Sequence, residues 1–139
     1  MGTWDAGPFD NDKAADWCGN LNDAGPAERE DMIRRALREA ADEGGYLRDG
    51  PACVAIAAAA IVASQRPDGE AITSPFAPDF LLEDPVLDLS PDLASLAVGA
   101  LDRVMGDESE WRELWDDARG ELRDASFDGV RRLRAALSA

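Results

Sequence analysis

Histidine is absent from the 139-residue chain, lysine occurs once and cysteine twice. Without an imidazole there is no Ser-His-Asp triad, no Cys-His dyad and no His-ligated zinc site. Cys18 and Cys53 are too few for a four-cysteine zinc site. No cofactor and no metal is therefore expected. The opening Met1-Gly2-Thr3-Trp4-Asp5 lacks a basic region followed by an apolar stretch, so a secretory signal is not expected. The two thiols are accordingly expected to stay reduced, in a cytoplasmic protein. Charge of one sign is also scarce: 14 basic residues stand against 29 acidic ones. Against that excess of acid nucleic acid is a poor partner, because phosphate ligands need clustered Lys or Arg.

What is present is acid. The formal net charge of −15 exceeds the magnitude of about 2–8 usual in a small soluble domain. Such a surface suits a positively charged protein partner through electrostatic steering. Genome composition is the plainer explanation, since Arg supplies all basic residues but Lys13 and Ala, Asp and Gly abound. The charge is spread along the chain: residues 1–25 carry −4, 26–50 carry −2, 51–90 carry −5 and 91–139 carry −4. Apolar residues make up 45%, a globular profile. A chain of this length is expected to be one domain, residues 1–139, with a core that needs no staple.

Helix signals dominate. Asp10 or Asn11 can cap a first helix through Cys18, with Gly19, Asn20 and Asn22 weakening its end. Gly25-Pro26 opens a second, in which Ile33, Ala36, Leu37, Ala40 and Ala41 form a stripe. Its other face carries Glu30–Arg34, Asp31–Arg35 and Arg35–Glu39, each pair four apart and of opposite sign. Gly44-Gly45 ends it. From Pro51 to Ser64 there is no charge at all, with Asp49 as a candidate cap; a helix apolar all round is a buried one. It is too short to span a membrane. Residues 67–89 hold four prolines and many apolar side chains, which predicts an ordered loop with a short helical turn near Asp79–Glu83. Ser90-Pro91-Asp92 starts another helix with a Leu93, Leu96, Ala97, Ala100, Leu101, Val104 stripe, stopped by Gly106. Asp107 to Glu110 has the form of a capping box. The helix it opens would align Trp111, Leu114, Trp115, Ala118 and Leu122. A last one runs from about Ser126, with Phe127, Val130, Leu133 and Leu137. The expected fold is all-α: a compact bundle of five to six helices around the alanine-rich segment.

Few residues suggest chemistry. Asp10-Asn11-Asp12 has the start of a calcium loop, but Ala15 and Leu21 stand where that loop needs Gly and Glu. Adjacent acids such as Asp116-Asp117 do not face each other on a helix. Gly44-Gly45 and Gly50 lack the strand, helix and Lys of a phosphate loop. Arg131, Arg132 and Arg134 form the one basic cluster, at a helix C-terminus whose dipole they complement. Trp4, Phe9, Asp10, Asn11, Asp12 and Trp17 stand out as a structural N-terminal motif in which the aromatics staple onto the first helix.

That opening, Met1-Gly2-Thr3-Trp4, then Gly7-Pro8-Phe9, then Asn11-Asp12 and a helix reaching Asp16-Trp17, resembles the start of the family catalogued as domain of unknown function 4259. Asp5 stands where the family commonly has Gly. Leu93, Leu96-Ala97 and Ala100-Leu101, followed by Ser109-Glu110 and Leu114-Trp115, are similar to its C-terminal half. The resemblance spans residues 1–138. It implies kinship and no activity, cofactor or catalytic residue.

Together these features predict a small acidic, non-catalytic protein that binds another macromolecule, in the manner of an inhibitor or immunity protein covering a basic surface. The alternative is a small-molecule-binding or homo-oligomeric helical protein with a pocket under residues 67–89. An enzyme built on carboxylates and Arg is the least supported. No membrane association is expected.

Overall fold

The computed structural model describes residues 7–66, 69, 72, 77–78, 81, 89–118 and 120–138. Six helices order these residues: α1 (Asp12–Asp23), α2 (Pro26–Ala41), α3 (Asp49–Ser64), α4 (Asp92–Met105), α5 (Glu110–Asp117) and α6 (Glu121–Ser138). No named strand occurs among them, only one parallel bridge between Leu47 and Ser109. The all-α bundle expected from periodicity is what the chain forms.

Its axis is α3. Ala52, Cys53 and every residue from Ala55 to Ala63 are buried, and all five other helices pack against this one. Methyl side chains explain how one helix takes so many neighbours. Where Cβ is the last atom, backbones approach closely without leaving voids, and apolar burial contributes about 25 cal/mol per Å² on every side. The surrounding helices each turn one stripe inward: Ala14, Cys18 and Leu21 from α1; Ile33, Ala36, Leu37 and Ala40 from α2; Leu93, Ala97, Ala100, Leu101 and Val104 from α4. A single apolar cluster joins them with Trp111, Phe127, Val130 and Leu137.

Several boundaries depart from expectation for local reasons. α1 continues through Gly19, Asn20 and Asn22 to Asp23 because buried Leu21 anchors its last turn. Asp49 does not cap α3. Its side chain accepts from the Cys53 thiol (3.6 Å), while its backbone N–H donates to Glu110 Oε1 at 2.8 Å. The cap of α5 is Ser109, whose hydroxyl accepts from the Arg112 amide, rather than Asp107. The single helix expected across Trp111 and Leu122 is two. α5 stops at Ala118, which is extended (φ −73°, ψ 154°), and Gly120 sits at φ +98°, a left-handed conformation that costs glycine nothing. Leu122 therefore belongs to the next helix, which begins at Glu121, five residues before Ser126. The charged face of α2 reaches outward as well as along itself: Glu30 accepts from the Ser90 amide and Arg34 is paired with Asp92 on α4. These two contacts, with the α2–α4 packing, fix the end of the 67–89 connection. Apart from Leu81, which is helical and buried, the turn expected at Asp79–Glu83 lies outside the described residues.

Candidate functional site

The N-terminal motif assembles at the start of α1. Residues 7–10 form a tight turn: the Asp10 amide donates to the Gly7 carbonyl, and the Gly7 amide donates to Asp10 Oδ2 at 3.1 Å. A Cβ on Gly7 would stand 2.3 Å from that oxygen, so a larger residue there would push the Asp10 carboxylate away from the amide it accepts from. Asn11 Oδ1 then accepts from the Ala14 amide at 2.8 Å, capping α1. Phe9 is 3% exposed, deep enough to contribute about 2–3 kcal/mol by area. Trp17 is half-buried against the core, and Asp12 is exposed in the first turn. Trp4 lies outside the described residues. The side chains of Asp10 and Asn11 are thus engaged with backbone amides and do not converge on an ion site.

Beside this turn lies a small cavity between Pro8, Asn11, Cys53, Trp111, Ser126 and Val130. Its interior of about 30 Å³ has room for a water molecule and not for a metabolite, whose pockets run to about 300–1,000 Å³. The Ser126 hydroxyl, fully desolvated, has no hydrogen-bond partner. Cys53, which also lines the cavity, is buried, and its thiol pKa is pushed up, first by desolvation and then by the Asp49 carboxylate that accepts its hydrogen bond. Burial alone pushes Cys18 up to about 12. Both are free thiols. Held protonated and out of solvent, neither is a nucleophile at neutral pH. Asp49 is itself raised, chiefly by burial, although the Cys53 thiol and Lys13 oppose the shift.

A second, more elaborate constellation lies where the loop after α2 meets the loop before α5. The Leu47 amide donates to the Glu108 carbonyl at 2.7 Å, and the Glu110 amide donates back to the Leu47 carbonyl at 2.8 Å. Arg103, in the last turn of α4, spans both loops. Its guanidinium donates to the carbonyls of Glu43, Asp107 and Glu108 at 3.0, 3.0 and 3.3 Å, and to that of Gly45. Glu108 is held in this latch at φ +59°, a left-handed conformation uncommon for a residue with a side chain. The Tyr46 hydroxyl donates to Glu113 Oε2 at 2.6 Å, and that carboxylate pushes the phenol up to about 12. Tyr46 is 43% exposed, Leu114 36% and Leu122 48%, the three large apolar side chains left in solvent among the described residues.

Under this corner the aromatics pack as expected. The Trp111 and Trp115 rings meet edge to face with centroids 6.4 Å apart, and Trp111 tilts against Phe127 at 5.8 Å. Three guanidiniums, of Arg112, Arg123 and Arg131, stand over the Phe127 ring with their carbons 5.2 to 5.9 Å from its centroid. The Arg131, Arg132 and Arg134 cluster does not act as one patch. Arg131 pairs with Asp128, and Arg134 reaches Asp102 on α4 at 2.6 Å.

Sequence reasoning missed Arg103, Ser109, Tyr46 and Ser126. Arg103 is one arginine among thirteen, and nothing in its spacing shows that four carbonyls converge on it. Ser109 was more accessible, since serine directly before a helix is itself a cap signal.

Among the described residues no three His, Cys, Asp or Glu side chains gather in a manner that would hold a metal ion, and no helix is long and apolar enough to cross a membrane. The fold and its surfaces define an all-α bundle threaded on an alanine-rich helix, with thiols sealed inside and carboxylates outside. The chain belongs to the family of the domain of unknown function DUF4259, whose model matches residues 2–125. No curated protein and no solved structure is matched by it.

Proposed function

We propose that this protein is a non-catalytic binding module, inhibitor-like or immunity-like, that covers a basic surface on another protein. The observation that carries the reading is the net charge of −15 together with its placement. The only polar or charged residues buried among those described are Asn11, Ser109 and Ser126. No described Asp or Glu is among the buried residues, so the acids add to an outward negative field. A field of that sign repels nucleic acid and draws in cationic protein surfaces, raising association rates most at low salt. The sealed, protonated thiols of Cys18 and Cys53 support a role without covalent chemistry. The alternative pocket under residues 67–89 rests mostly on residues outside the described set.

Affinity capture from native lysate, followed by reconstitution with the purified partner, tests the proposal. A stoichiometric basic protein whose association rate falls steeply between about 0.05 M and 0.5 M salt is the expected result. A neutral or acidic partner, or a self-associated chain that retains a small molecule, would overturn it.

A further inference from the structure

We propose that the cavity beside the N-terminal turn is a binding site for one water molecule, bonded to the Ser126 hydroxyl and to the side-chain amide of Asn11. The site is separate from the proposed capture of a basic protein. Its walls come from distant parts of the chain: Gly7 and Asn11 at the turn, Cys53 on α3, Trp111 on α5 and Ser126 on α6. From α6 it is lined by Ser126, Gly129, Val130 and Leu133 together. Spacings of three, four and seven place these four on one helix face, so α6 turns the side that carries Ser126 toward the cavity.

Ser126 is the group that asks for a ligand. The residue is 3% exposed, and its hydroxyl has no hydrogen-bond partner in the protein. A buried hydroxyl without a bond costs free energy that an ordered water restores. Asn11 supplies a complementary group. Its Oδ1 is occupied by the Ala14 amide, which leaves the two protons on the side-chain nitrogen to donate. Cys53 adds a weak acceptor, because its own proton goes to Asp49. An amide donor, a hydroxyl that can donate or accept and a weak sulfur acceptor meet the two to four partners that buried water takes. Size fixes the class of ligand. The interior of about 30 Å³ exceeds the roughly 10–15 Å³ that one water needs. A wholly apolar cavity would stay dry, whereas this one has polar side chains in its wall. The bound water would join the N-terminal turn to α6.

The isotope-labelled full chain tests this by magnetisation transfer from water. Cross-peaks to the Asn11 side-chain amide protons, with the sign of an immobilised water, are expected in the native protein. Oxygen-17 relaxation dispersion should then count one long-lived water fewer in Ser126→Ala than in the native protein. Absence of the Asn11 cross-peaks would overturn the site, and so would an unchanged count in Ser126→Ala. The first outcome means a dry cavity, and the second a water that the Ser126 hydroxyl does not hold. If Ser126→Ala fails to fold, the cross-peaks of the native protein alone decide. None of these outcomes touches the charge-driven function, which the capture experiment reads.

Discussion

α3 and the corner around α5 are built by opposite means. Among the described residues α3 keeps its side-chain hydrogen bonds within the helix and at its two ends, Cys53 donating to Asp49 and Ser64 to the Ile61 carbonyl. It is held by shape, methyl against methyl, with Ala55, Ala57, Ala58 and Ala59 at 0% exposure. The corner has little buried apolar surface beyond Leu47 and Trp111. It is fixed by carbonyl bonds from one guanidinium, a two-bond bridge and a phenol–carboxylate contact. Close packing tolerates no charge but leaves nothing on the surface to recognise. Polar latching rests on bonds that water can partly replace, so the two regions differ in what breaks them.

The comparison breaks most sharply in α3. Ala58→Asp places a carboxylate with no counter-ion among buried methyls, and unfolding or a loss of about 3 kcal/mol or more is expected. Far-ultraviolet circular dichroism through a thermal melt reads it; a native-like cooperative midpoint would show that α3 is not sealed. At the corner, Arg103→Ala removes bonds to four carbonyls that water can partly replace, so the cost is smaller, about 1–2 kcal/mol by chemical denaturation. Amide hydrogen exchange should accelerate at Leu47 and Glu110, the two donors of the bridge, while α3 amides keep their protection. Acceleration throughout the chain instead would mean that the latch and the core are one cooperative unit. The smallest effect is expected of Glu108→Gly. It relieves a left-handed conformation that costs a side-chain-bearing residue about 1–2 kcal/mol, against the greater chain entropy of glycine, for a net gain of about 0.5 kcal/mol. A loss of stability would show that the Glu108 side chain contributes more than its backbone strain costs.

Patterns of one dimension were legible without coordinates. The uncharged run from Pro51 to Ser64 had to be buried on all sides because each polar neighbour that would have marked a wet face is missing. Pro26, Gly25 and Gly106 marked helix ends through backbone constraints that do not depend on what packs nearby. The stripes of α2 and α4 named their buried residues for the same reason, since a period of 3.6 leaves one face to the core. The capping residue of α5 and the break after it were harder. Asp107 and Ser109 both fit an N-cap by type, and the choice fell to the loop geometry that the Leu47 bridge imposes. The aromatic and leucine spacing across residues 111–122 fits one helix as well as two, and only the conformations of Ala118 and Gly120 separate them.

By itself, then, the amino-acid order determined an all-α chain wound on a charge-free helix, with excess carboxylate outside and no imidazole chemistry. Each of those follows from composition and near-neighbour spacing. Tertiary structure decided the partners: Arg34 bonded to Asp92 on another helix, Glu30 to the Ser90 amide, Arg103 to four carbonyls and Tyr46 to Glu113. Apart from the Asp107 and Glu108 carbonyls, four and five positions from Arg103, these contacts join residues 58 to 67 positions apart in the chain. Their selection depends on which helix ends the packing of α3 brings together, and a local pattern carries no record of that.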